Sequence, residues 1–391
     1  MEAVSKTLVR GNMLMFGIVL FIVEFVRGAY LVSFLPTYGE KALGFSAAAV
    51  GTAVSVHYVT DTLIKCYAGY LLDRFSLRLI VQSGLFISFT GLIMMQYAHS
   101  FWLLVAAAAL FGVGISPIWL VCLSKVKPEQ RAAGMGLLYT CWLCGLGAGP
   151  VVINFVIDRS YTISFQIMLV LWGLGWLLSL FISNAKESAP EQIPVRQQIS
   201  MLWERLIAMK KLLPGMILQT ASAGMLVPIL PGFASTYLGL QYSQYSYVLI
   251  AGGAFTVIFL VPMGKWSDRW GRKWFLIAGF SGFAVMLYSL TFAHTLWQAV
   301  LLAALLGLSY AAVLPAWNAI IAGFVPANQQ GLGWGLFSSV EGIGVIIGPV
   351  LGGWLADLFD ARVAIWTSAA LLAAIAAYYI AVPLEGDKEL A

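Results

Sequence analysis

Five ionisable residues fall inside the first two long apolar runs: Glu24 and Arg27 in one, His57, Asp61 and Lys65 in the other. Spacings of three and of four place each set on one face of a helix. A charge at the centre of a membrane span costs roughly 2.5–3.5 kcal/mol on insertion scales, so it must face a cavity or a partner. Five such groups together exceed what packing needs. Carboxylates in that setting take up and release protons, and a guanidinium can bias them or bind polar ligand groups. The pattern predicts a wet vestibule in the front half. Asp61 is its primary proton carrier, Glu24 the second, with Arg27 and His57 beside them. A buried structural ion pair is the plainer use of the same residues.

The back half is different. Its corresponding spans carry almost no charge, Glu341 being the exception, and their lining candidates are Gln219, Met225, Pro228, Pro231, Trp317 and Asn318. A cavity with one charged and one greasy wall suits an amphiphile. The headgroup then sits against Glu24, Arg27, Asp61 and His57, and the apolar tails against Met225, Pro228, Trp317 and Asn318. Trp119 and Trp142 offer apolar faces on which sugar rings can stack. With fourteen tryptophans in the chain, packing or an interface belt accounts for either equally well.

The elements that hold these residues must be membrane helices. Of 391 residues 61% are hydrophobic and only 10% charged, which leaves too little polar surface to coat a soluble globule. Apolar runs long enough to cross about 30 Å of hydrocarbon lie near 12–34, 46–71, 79–98, 101–123, 132–157, 162–184, 212–238, 242–263, 274–293, 296–324, 332–356 and 362–382. This predicts an all-α membrane protein of twelve transmembrane helices in two pseudo-symmetric six-helix bundles. The bundles occupy residues 1–184 and 212–391. Between them, residues 185–211 form a cytoplasmic linker in which Ile199, Leu202, Trp203, Leu206 and Ile207 follow the spacing of an amphipathic helix. The first run lacks a clear cleavage site and reads as a retained span.

All loop cations except Lys41, Arg159 and Arg362 fall on one side, which places both termini in the cytoplasm. The net charge of +5 is spread over these loops, so nucleic acid is not an expected partner. Cys66, Cys122, Cys141 and Cys144 all lie in apolar runs and read as small packing residues, with neither disulfide nor metal implied. No Gly-x-Ser-x-Gly and no metal-ligand cluster supports a membrane-embedded lipid enzyme. No cofactor is expected, a proton gradient being the energy source.

A duplication runs through the chain. Gly69-Tyr-Leu-Leu-Asp73-Arg74 returns half a chain later as Gly264-Lys-Trp-Ser-Asp268-Arg269. Pro117-Ile-Trp119 likewise answers Pro315-Ala-Trp317, and Gly145-Leu-Gly-Ala-Gly149-Pro150 answers Gly344-Val-Ile-Ile-Gly348-Pro349. Glycines at these loops let neighbouring helices approach closely, the aspartate can pair with an arginine, and basic residues hold lipid phosphates. Such contacts can latch one conformation and release in another, a gate built from Gly69, Asp73, Arg74, Gly145, Gly149, Pro150, Gly264, Asp268 and Arg269. The loops resemble those of the major facilitator superfamily from end to end of the chain, and Gly145 to Pro150 resembles its antiporter motif.

A narrower resemblance is carried by Glu24-Phe-Val-Arg27-Gly28, His57-Tyr-Val-Thr-Asp61, Ser116-Pro-Ile-Trp119, the segment around Trp142, Leu213-Pro-Gly-Met-Ile-Leu-Gln219, Val227-Pro-Ile-Leu-Pro231, Leu314-Pro-Ala-Trp-Asn318 and Trp334-Gly335. As a set these stretches resemble the glycolipid flippases of lipoteichoic-acid synthesis in Gram-positive bacteria. The resemblance implies a bacterial plasma-membrane antiporter, working as a monomer. It would move a diglucosyl-diacylglycerol anchor lipid to the outer leaflet in exchange for protons. It also implies that Glu24, Arg27, Asp61, Trp119 and Trp142 form the headgroup pocket. Asp73 and Asp158 are acidic where those flippases carry basic residues. A polyspecific drug–proton antiporter is the alternative function.

Overall fold

The computed structural model describes residues 2–115, 118, 131–182, 203–204, 206–324 and 330–383; side chains are not described at 2–13, 66–74, 131–137 and 330–336. The chain divides into two compact units, residues 1–190 and 191–391. In the first unit α1 (Glu2–Gly28) passes through a π-helical stretch (Ala29–Phe34) into α2 (Leu35–Lys41). There follow α3 (Ala47–Arg74), α4 (Leu77–Met95), α5 (Phe101–Val113), α6 (Arg131–Ile157) and α7 (Tyr161–Ser179). The second unit has α8 (Leu213–Leu226), α9 (Leu230–Thr236), α10 (Tyr242–Trp270), α11 (Arg272–Leu290), α12 (Leu296–Ala322), α13 (Gln330–Leu358) and α14 (Ala361–Ala381).

Among the described residues nine helices are long and apolar enough to cross a membrane, ten if α8 and α9 form one bent span. The shorter α5 and the polar α3 fill the remaining expected places. Local chemistry sets several starts. Ser76, Ser100 and Ser160 each accept a hydrogen bond from the backbone N–H three residues on, and Thr295 forms a capping box with Gln298.

The first span of each unit opens a new helical segment at the same Leu-Pro pair. Leu35-Pro36 opens α2 and Leu230-Pro231 opens α9, each proline in the first turn where its missing N–H is tolerated. A proline also clashes with the carbonyl four residues earlier. In the first unit the chain answers with the π-helical stretch; in the second it bends by 41°. The sequence predicts continuous spans at 12–34 and 212–238; the first runs on as one span, Leu14–Lys41, and the second is the one that bends.

Close packing of α1 on α6 depends on residues without side chains. A Cβ on Gly149 would stand 2.1 Å from the Phe25 carbonyl oxygen, and one on Gly28 would stand 2.3 Å from that of Leu146. The same arrangement joins α8 to α13, where a Cβ on Gly348 would lie 2.4 Å from the Ala221 oxygen. Pro150 and Pro349 lie inside these helices beside the packing glycines.

Candidate proton and substrate site

α1 presents Glu24 and Arg27 one turn apart, the Arg27 Nε standing 3.1 Å from Glu24 Oε2. Their side chains are 1% and 10% exposed. The two atoms are a charge contact and not an aligned hydrogen bond, since each lacks a partner of proper geometry. On α3, Lys65 Nζ donates to Asp61 Oδ2 at 2.6 Å, with the aspartate buried and the lysine 43% exposed. The pairs form one electrostatic neighbourhood: the charges of Arg27, Asp61 and Lys65 all act on Glu24, and those of Glu24 and Asp61 act on Arg27. The structure therefore places all five residues picked out by spacing in one field. Tyr58, whose hydroxyl lies in the field of Arg27, Asp61 and Glu24, joins them and was not expected. An ordinary aromatic between two polar residues gives no sequence signal.

His57 feels the charges of Asp61, Arg27 and Lys65 from the packed side of its helix. It is fully buried on the packed side of α3, its ring 5.3 Å from Phe111 and 5.4 Å from Tyr58. Phe111 in turn touches Tyr30 and Trp172. Gly112 of α5 packs against the His57 backbone, and the Ala108 backbone and the charges of Asp61, Arg27 and Lys65 all bear on the imidazole. α5 covers His57 on the packed side of α3, while the i, i+4 spacing keeps it within the field of Asp61.

Trp142 on α6 is half-buried, its ring edge-on to Tyr139 at 6.2 Å. Trp119 lies outside the described residues, as do the side chains of Gly69, Asp73, Arg74 and Cys66, and Cys122. Ile199 and Leu202 of the expected linker helix are also outside them, whereas Trp203 and Ile207 are exposed. Asp158 is exposed in the turn between α6 and α7.

The second copy of the loop motif is described in full. Arg272 donates through Nε and Nη2 to Asp268 Oδ1, at 2.9 and 2.8 Å, across Gly271. Gly271 has φ +99°, a conformation that favours glycine and makes this the sharpest corner between α10 and α11. Arg269 is exposed in the last turn of α10. A Cβ on Gly264 would meet Pro315 only at 3.4 Å, an ordinary contact, so the tight helix approach expected at Gly264 is not found there. It occurs at Gly307, where a Cβ would stand 2.1 Å from the Gly252 oxygen.

The residues expected to meet lipid tails differ in exposure. Met225 is buried against the backbone of Gly348 and Gly352, Pro228 is buried, Trp317 is buried, and Asn318 is exposed. Trp317 serves a polar cluster: its Nε1 donates to Glu341 Oε1 at 3.1 Å, and Gln219 Nε2 donates to the same oxygen at 3.2 Å. Thr220 Oγ1 also donates to the Glu341 backbone carbonyl at 2.7 Å. An apolar groove of about 250 Å³ lies in the first unit, lined by Leu14, Gly17, Ile18, Phe21, Thr140, Cys141 and Cys144. Both cysteines there are free.

The sequence pattern of the Major Facilitator Superfamily matches twice, over residues 16–212 and 212–390. A protein of Staphylococcus saprophyticus named proton-coupled antiporter flippase LtaA is 31% identical over 353 residues, 88% of this chain and 87% of that one. The protein of the same name from Staphylococcus aureus strain N315 is 30% identical over 380 residues, 94% of each. The crystal structure of the nucleoside transporter NupG covers 95% of this chain and 98% of its own, with a TM-score of 0.74 at 16% identity. A bacterial homolog of the human lysosomal transporter Spinster covers 95% and 96%, with a TM-score of 0.73 at 13% identity. These two likenesses establish the fold alone. With both halves matched, the chain belongs to the Major Facilitator Superfamily: it is a multi-pass membrane protein and a secondary transporter, not an enzyme.

Proposed function

We propose that this transporter exchanges protons for an amphipathic glycolipid of the diglucosyl-diacylglycerol type, carrying it from the inner to the outer leaflet by alternating access. The observation that carries the reading is the buried set Glu24, Arg27 and Asp61, held with the more open Lys65 in one electrostatic neighbourhood by the first two spans. A transporter that moved an uncharged solute passively would have no use for two carboxylates taken out of water. Similarity over most of the chain to proteins named proton-coupled antiporter flippase supports the same reading. Asp61 is the better proton carrier, because Lys65 is half in the open and can leave it. Glu24 and Arg27 hold sugar hydroxyls, with Trp142 and Trp119 as stacking faces. Both termini are cytoplasmic on this reading, and the protein works as a monomer.

Proteoliposomes carrying a fluorescent diglucosyl-diacylglycerol, with a membrane-impermeant quencher outside, test the substrate class. The purified protein is expected to move the label between leaflets and to leave a lipophilic cation on its own side. Efflux of the cation without movement of the glycolipid would replace this reading with a drug–proton antiporter.

A further inference from the structure

The two units repeat one helix contact and then differ at it. A Cβ on Gly145 would strike the Phe21 oxygen and Glu24 Cβ, while one on Gly344 would strike the Ile217 oxygen and Thr220 Oγ1. Gly149 meets the Phe25 oxygen, as Gly348 meets that of Ala221. Gly145 and Gly344 are therefore equivalent, and Glu24 is equivalent to Thr220. In the same register Trp142, three residues before Gly145, is equivalent to Glu341, three residues before Gly344. Each half thus carries one carboxyl at this contact. The first takes it from its first span and sets a tryptophan opposite; the second takes it from its fifth span and sets a threonine opposite.

We propose that Glu341 is a second proton-binding carboxyl, the counterpart in the second half of the Glu24 site, and that it takes its proton on Oε2. The hydrogen bonds are arranged for this. Trp317 and Gln219 both donate to Oε1, so the side chain stays anchored whether or not Oε2 is protonated. Oε2 has no partner among the described residues and is not enclosed. Glu24 has Arg27 and Asp61 has Lys65, but no lysine or arginine pairs with Glu341 among the described residues. Its titratable neighbours are phenols: Tyr310 of α12 lies in its field, and Tyr379 of α14 sits beyond Trp317, with ring centres 6.1 Å apart. A half-buried carboxylate surrounded by neutral donors needs its charge met from outside the protein, and a proton that comes and goes does so.

What the proton is used for rests on the proton-coupled reading above; the site itself does not. Infrared difference spectra of the full-length protein in liposomes, between acid and alkaline pH, read protonated carboxyls directly. Wild type should show carboxylic C=O bands on acidification, one of which is lost in E341Q and a different one in D61N. Glutamine keeps the carbonyl that accepts from Trp317 and Gln219, so the fold should persist. Should E341Q fail to fold, W317F removes one donor from Oε1 and should shift the titration midpoint of the same band, which a merely structural glutamate would not show. A difference spectrum unchanged in E341Q, or a midpoint unmoved in W317F, overturns the proposal. If the band is present but wild type moves no glycolipid under a pH gradient, the transport reading falls and the Glu341 site stands.

Discussion

The two acid–base pairs of the first unit differ in what surrounds them, and that difference decides what each can do. Arg27 and Glu24 are both shut away, so removing one leaves the other as an uncompensated buried charge, a defect of roughly 3–5 kcal/mol. Arg27→Ala should therefore lower the thermal unfolding midpoint in detergent markedly, and adding Glu24→Gln should restore much of the loss. A double variant as unstable as the sum of the two single variants would show that the pair is not coupled. Lys65 is more open, at 43% exposed, while the Asp61 that it meets is buried. On the proposed reading, a proton on Asp61 replaces its contact with the more open Lys65. Spacing alone made these four residues legible. It did not reveal that α5 covers His57, because a sequence face does not say which neighbour packs on it. Nor did it join Glu341 to Gln219 and Trp317, which come from three different helices.

At the scale of helices, the informative residues are those with nothing on them. Gly145, Gly147 and Gly149 occupy one stretch of α6, yet only the outer two face α1. A Cβ on Gly147 would meet nothing within 4 Å, whereas on Gly149 it would stand 2.1 Å from the Phe25 oxygen. Gly149→Val should push α1 from α6, costing about 1–3 kcal/mol of stability as overpacking does, and should slow transport. Gly147→Ala should match wild type in both unfolding midpoint and rate. Equal behaviour of the two variants would remove the packing account. The antiporter-like motif was readable in the sequence, but which of its glycines bears the contact was not. The π-helical stretch before Leu35-Pro36 and the bend before Leu230-Pro231 were not legible either, since hydropathy stays high through both.

The whole molecule is a duplicated unit, and its function follows from what the copies no longer share. The repeated loops, paired glycine contacts and paired Leu-Pro segments keep two equivalent scaffolds. The charges are not repeated: Glu24, Arg27, Asp61 and Lys65 belong to the first unit, and Glu341 to the second. Hydropathy and the returning motifs were enough to read the architecture, because each span must be long and apolar whatever it carries. Burial and partner choice are set by contacts between helices, which no single span encodes. The measurement that bears most directly on the central claim is accumulation of fluorescent diglucosyl-diacylglycerol in proteoliposomes with and without an imposed pH difference, for wild type and Asp61→Asn. Acid on the outer face should drive the lipid into the outer leaflet in wild type. Asp61→Asn, folded and with a near-normal unfolding midpoint, should lose that drive. Wild-type transport indifferent to the pH difference, or an Asp61→Asn variant driven by it as wild type is, would contradict proton coupling through the buried carboxylates of the first two spans.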